Sequence, residues 1–176
     1  MPAISHRIGL DLNIIDCRNP DEAAWLRALV WPEHQERRAT LDAAIQHRSA
    51  FELDLREGDG FSMVSDVVRQ IPDTSVVCIY HTHVANQISP ETQELFLSEL
   101  SEIGSDRDLI HVFNNIHPKL YSPSDTPDLS AFHLYSTVYQ NGITKGVPLA
   151  TTDGHARWFN WLPTETEGEQ LEDLNP

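Results

Sequence analysis

The chain has 176 residues and a mass of 19.9 kDa, with 40% hydrophobic residues, the composition of a chain able to bury a sizeable core. Lys and Arg total 12 against 27 Asp and Glu, a formal net charge of -15, which argues against a nucleic-acid backbone or an anionic membrane as partner. No apolar run approaches the length of a membrane span, and the first ten residues lack the apolar block of a secretory signal.

Taken in chain order, Arg7 to Ile15 alternates in part and reads as a short strand or an extended lead-in. Asn19-Pro20-Asp21-Glu22 has the chemistry of a helix start: a capping Asn, Pro at the first helical position and acids in the first turn. Trp25, Leu26, Leu29 and Val30 follow at helical spacing, and Pro32 then predicts a second helix carrying Leu41, Ala44 and Ile45. Phe51, Leu53 and Leu55 alternate with charged residues as a half-buried strand does, ended by Gly58-Asp59-Gly60. Met63, Val64, Val67, Val68 and Ile71 predict a helix stopped at Pro72.

Ser75 to Tyr80 is an apolar, β-branched run, the pattern of a central parallel strand covered on both faces. On that reading Val76, Val77, Cys78 and Ile79 are buried, and Cys78 is a reduced thiol in a cytoplasmic protein. Ser89-Pro90-Glu91 opens another helix, and Leu109 to Phe113 is the next strand. Asn114 to Ser130, with three prolines, reads as a long loop. Asn141-Gly142 between two β-rich runs signals a hairpin over Phe132 to Ala150, and Arg157 to Leu162 is a short aromatic element. The sum is an α/β fold: a mixed, mostly parallel sheet flanked by helices, with a C-terminal antiparallel hairpin. The expected organisation is a single α/β domain over residues 1–163, followed by an acidic, disordered tail over 164–176. Trp25, Trp31, Trp158 and Trp161 read as core or interface aromatics rather than a stacking platform.

Ligands in such sheets bind beyond the carboxyl ends of parallel strands, which selects three places. His81-Thr82-His83 follows the apolar strand, and a chain still extended there would put both imidazoles on one face. Two imidazoles suit a transition metal, but a third ligand is needed. His111, His117, His133, His155, Asp59 and Asp125 are candidates without a diagnostic spacing, so no metal is expected. The readings that remain are imidazoles capping the strand end and imidazoles contacting a polar ligand. Asn86 and Gln87 could read a polar ligand edge or close loose backbone at the next helix entry. Gly58-Asp59-Gly60 permits a tight turn with a carboxylate at its tip. Asp11, Asn13 and Asp16 could hold a pair of ribose hydroxyls or form turns. No phosphate-cradling glycine motif and no nucleophilic serine elbow is present.

Gly9 to Asp16 followed by Trp25 to His34, then Tyr80 to Gln87, then Asp153 to Leu162, resemble in order three hallmarks of a bacterial family, domain of unknown function 2332. The order of elements is also similar to the later part of a Rossmann-type methyltransferase, without its first strand and glycine turn. That resemblance implies S-adenosylmethionine as cofactor only if the missing glycine motif is supplied elsewhere. It implies Asp11, Asp16, Gly58 and Asp59 at the nucleoside, and His81, His83 and Asn86 orienting a methyl acceptor. It further implies a sheet edge that self-association or a partner chain would cover. The rivals are a metal-dependent hydrolase built on His81 and His83, and a non-catalytic interaction module.

Overall fold

The computed structural model describes residues 3–49, 53–114, 132–140, 143–154 and 156–162. The predicted tail, the Asn141-Gly142 turn and most of the loop after Asn114 lie outside these. The fold is a mixed α/β one and divides into two compact units, Met1–Asp66 and Val67–Pro176. No described helix is long and apolar enough to cross a membrane.

The first unit pairs β1 (Ile8–Asp11) with β2 (Asp54–Glu57) in parallel, from Ile8 opposite Asp54 to Asp11 opposite Glu57. Between them run α1 (Pro20–Ala28) and α2 (Gln35–Ser49). The Asn19 side chain accepts from the Asp21 N–H, the cap expected from the sequence. Pro32 does not open the second helix. The Trp31 carbonyl accepts from the His34 N–H at 3.0 Å, so Pro32 sits in a turn and α2 begins three residues later. Arg27 Nε donates to Asp42 Oδ1 at 2.6 Å and ties the two helices, with Ala23 and Ile45 buried. Trp25 and Trp31 are exposed rather than core, at 58% and 69%.

The helix α3 (Gly60–Val68) leads toward the second unit. That unit holds a five-stranded sheet in the order β3 (Val77–His81), β4 (Leu109–Phe113), β5 (Phe132–Gln140), β6 (Ile143–Thr152) and β7 (Phe159–Trp161). β3 and β4 are parallel, joined by a crossover through α4 (Pro90–Asp106), and every later pairing is antiparallel. The hairpin predicted around Asn141-Gly142 is present as β5 and β6. The aromatic element near the end is β7.

One face of this sheet is covered by α4. A Cβ on Gly104 would lie 2.3 Å from the Tyr139 Cβ, so helix and sheet approach as closely as a bare glycine allows. Leu100, Leu109, His111 and Phe113 are essentially inaccessible at this contact.

The run from Ser75 to Tyr80 is a strand, but it stands at the edge of its sheet rather than at the centre. Val77 is buried and Ile79 is half-buried, whereas Val76, Cys78 and Tyr80 are exposed. The expected burial of Val76 and Cys78 is therefore corrected. The reason is positional: among the described residues β4 alone pairs with β3, and the face carrying Val77 and Ile79 is the one that meets α4. Trp158 and Trp161 are exposed as well, so none of the four tryptophans is a core residue.

Candidate functional site

The carboxyl end of β3 and β4 concentrates the unusual chemistry. β3 ends at His81, and the chain then bends away, with His83 at φ 60°, the left-handed region that a non-glycine residue rarely occupies. The extended geometry that would have put His81 and His83 on one face is absent, and that expectation is corrected. The His83 backbone N–H instead donates to Asn114 Oδ1 at 2.8 Å, from a buried Asn114 just beyond β4.

His81 finds a different partner. The register sets Ile79 opposite His111 and His81 opposite Phe113, so His81 and His111 are diagonal neighbours on the face under α4. Their Nε2 atoms lie 3.0 Å apart, a hydrogen bond that needs one proton between two neutral rings. Phe96 of α4 meets both rings edge-on, and Phe113 stacks on His111 with centroids 4.4 Å apart. Burial in this aromatic nest lowers the His81 pKa to about 4. Burial, with the neighbouring His81 adding to it, lowers that of His111 to about 3. The Nδ1 of His111 is buried with no hydrogen-bond partner among the described residues.

The loop beyond β3 is held from a second side. Gln93 Nε2 of α4, buried, donates to the Ala85 carbonyl at 2.8 Å inside a single 3-10 turn (Ala85–Gln87). Ala85 itself packs on Phe113. Asn86 lies in this turn, and its side chain is outside the described residues. Ser89 then caps α4 by accepting from the Thr92 N–H. Removing the Asn114 amide should strand the His83 N–H and release its strained backbone. Asn114→Ala is expected to lower stability by about 1–3 kcal/mol, read from the midpoint of urea unfolding. A change within error would show that the loop is held by other contacts.

The predicted nucleoside-side residues all lie in the first unit, each engaged in a local turn. Asp11 Oδ1 accepts from the Asn13 N–H at 2.9 Å, and the Asp11 carbonyl accepts from the Gly58 N–H at 2.8 Å. Gly58 sits at φ 150°, where a side chain is strained and a Cβ would strike the Met63 sulfur. Asp59 is exposed, and its Oδ1 accepts from the Phe61 N–H at the start of α3. Asp16 accepts from both the backbone and the Nε of Arg18 at 3.0 Å, and these bonds hold its carboxyl below the usual range. Asp11, Gly58 and Asp59 thus gather at the carboxyl ends of β1 and β2, whereas Asp16 belongs to the turn before α1.

Among the described residues no group of three or more His, Cys, Asp or Glu is placed to hold a metal ion. The two residues that organise the β3 end, His111 and Asn114, carry the weakest sequence signal. His111 does alternate with Leu109 and Phe113, which marks it as facing the same core.

No curated protein and no solved structure matches the chain. One family model does, over residues 1–161, and its description is an uncharacterised protein conserved in bacteria (DUF2332). That match takes in both parallel strand pairs and the loops at their carboxyl ends, and the chain belongs to this bacterial family.

Proposed function

We propose that the protein is a methyltransferase-like, small-molecule-binding α/β protein that contacts S-adenosylmethionine weakly on its own. The observation that carries this reading is shared by the two parallel strand pairs. Each ends, at its carboxyl edge, in backbone of unusual φ beside polar side chains: Gly58 and Asp59 after β2, His83 and Asn114 after β3 and β4. Carboxyl ends of parallel strands are where α/β sheets bind ligands.

The residues fit the cofactor in part. Asp11 and Asp59 are exposed carboxylates, and each spends Oδ1 on a local N–H, which suits them to the hydroxyl and amine donors of a nucleoside. The chain has no glycine-rich turn for the methionine end. In this reading Asp11, Gly58 and Asp59 serve the nucleoside, and Asp16, held by Arg18 in the turn before α1, does not. In the second unit, taken by itself, His81 as a neutral ring rather than an imidazolium and His83 are proposed to contact a polar ligand.

Calorimetry with S-adenosylmethionine on the whole chain tests it. The expected dissociation constant is on the order of 1 mM, near ~4 kcal/mol of binding free energy. Binding should weaken further in Asp59→Asn, which keeps a capping oxygen for the Phe61 N–H and removes the charge. Micromolar binding would overturn the weak-site reading, and no saturable binding, or binding indifferent to Asp59, would overturn the cofactor assignment.

A further inference from the structure

Two buried polar atoms belong to neighbouring residues beneath α4, and the hydrogen bond between the two histidine rings uses neither. His111 is fully inaccessible and Thr137 is 2% exposed. The antiparallel register of β4 and β5 sets these residues directly opposite each other. Both therefore project from one face, with Cβ atoms about 4.5–5.5 Å apart. His111 Nδ1 and Thr137 Oγ1 are each buried without a hydrogen-bond partner among the described residues. On its other side Thr137 faces Gly146 of β6, which offers no side chain. A threonine oxygen is re-aimed by χ1 rotation and its proton by rotation about the C–O bond, so hydroxyl and ring can meet across the ladder.

From this we infer that Thr137 and His111 are positioning residues for His81. The Thr137 hydroxyl donates to His111 Nδ1, His111 Nε2–H donates to His81 Nε2, and His81 is thereby held as the Nδ1–H tautomer. The count of protons decides the direction. Each neutral ring carries one N–H, and the 3.0 Å contact between the Nε2 atoms takes one of these. Were His81 the donor, His111 would carry its proton on Nδ1 and give it to Thr137 Oγ1. The Thr137 hydroxyl proton would then be left in the interior, with no acceptor among the described residues. In the outward direction both interior donors are paired, and the donor at the end of the chain is His81 Nδ1–H. That nitrogen is buried too, but its ring is half-buried and stands at the carboxyl end of β3, where α/β sheets take ligands. A donor orphaned in the interior is costly, so the outward arrangement should exceed the other by about tenfold or more. Resting on the reading of His81 as a contact for a polar ligand, that ligand presents an acceptor oxygen, a carboxylate or a carbonyl, rather than a donor.

Long-range proton–nitrogen correlation NMR of the ligand-free full chain at neutral pH reads the tautomer of each ring directly. The expected pattern is a proton on Nε2 of His111 and on Nδ1 of His81. In Thr137→Val, which keeps the shape of the side chain, the His111 Nδ1 resonance should move downfield to the position of an unbonded ring nitrogen. Thr137→Ser should restore it. A purely packing role for Thr137 predicts the reverse, with valine closer to the wild-type chain than serine. A proton on His111 Nδ1 in the wild-type chain would overturn the direction and, with it, the acceptor-oxygen ligand. An Nδ1 resonance indifferent to Thr137→Val would overturn the role of Thr137. No ligand is added, so neither outcome depends on whether S-adenosylmethionine binds.

Discussion

Arg107→Ala is expected to remove about 3–5 kcal/mol of stability, a large share of the 5–15 kcal/mol typical of a folded domain. Arg107 follows α4, and its side chain is only 9% exposed. One guanidinium nitrogen donates to the carbonyls of Val68 and Ile71 at 3.2 and 3.0 Å. The other donates to Pro72 and Ser75 at 2.9 and 2.7 Å. These are carbonyls from the end of α3 and the turn that delivers the chain to β3. The Val68 and Pro72 carbonyls also accept from the Ile71 and Ser75 N–H groups at 3.0 and 2.9 Å. The planar fork adds a second, charged donor to these turns and serves the Ile71 and Ser75 carbonyls besides. Asp73, 3.8 Å away and fully exposed, adds little to this. Arg107→Lys should recover only part of the loss, because an ammonium group cannot span four carbonyls in fixed geometry. Urea unfolding of the two variants checks both statements; a loss below about 1 kcal/mol for the alanine variant would mean that water replaces the guanidinium without penalty.

The second large effect is on acid stability. His81 and His111 have folded-state pKa values lowered to about 4 and about 3, against 6.5 in an unfolded chain. The folded state therefore resists protons that the unfolded state takes up. The pair's contribution is complete above pH 6.5 and declines as pH falls from there toward 4 and then 3. At most two protons are linked, and each gives about 1.4 kcal/mol per pH unit, so the loss by pH 5 is on the order of 3 kcal/mol. Ordinary carboxylates still hold their charge at that pH, which separates this decline from acid denaturation in general. Unfolding free energy measured between pH 7 and 5 should show the slope, and His111→Phe should reduce it by about half. A flat profile in the wild-type chain would show that the two rings are charged or solvated in the folded state.

Local chemistry was legible in the sequence wherever it is self-contained. Asn19 before Pro20 and Ser89 before Pro90 announced helix starts because a cap and its orphan N–H groups lie within three residues. The β5–β6 hairpin followed from Asn141-Gly142 and the β-rich runs around it. The location of β3 was not legible. An apolar, β-branched run reports that a strand is favourable, not how many neighbours it has, and Val76, Cys78 and Tyr80 look the same at an edge as at a centre. The His81–His83 pairing failed for a related reason. Alternation presumes continued extension, and the bend at His83 depends on Asn114, 31 residues away. His111 is one of the candidate third ligands beside His81 in the sequence, but its pairing with that ring depends on the parallel register of β3 and β4.

The change of direction within the five-stranded sheet divides its assembly in time. β5 and β6 meet over nine residue pairs across a two-residue connection, so their ladder closes at almost no cost in chain entropy. A hairpin of this kind forms in about 1–10 μs. β3 and β4 must instead bring together residues separated by the whole of α4, Val77 with Leu109, before any of their hydrogen bonds is rewarded. β4 has pairing edges to offer on either side, and the preformed β5 edge is the template nearest to hand. These separations predict that the antiparallel half forms first and that the histidine pair, which needs β3 and β4 in register, closes late; pulse-labelled hydrogen exchange protecting β3 and β4 before β5 and β6 would overturn this order.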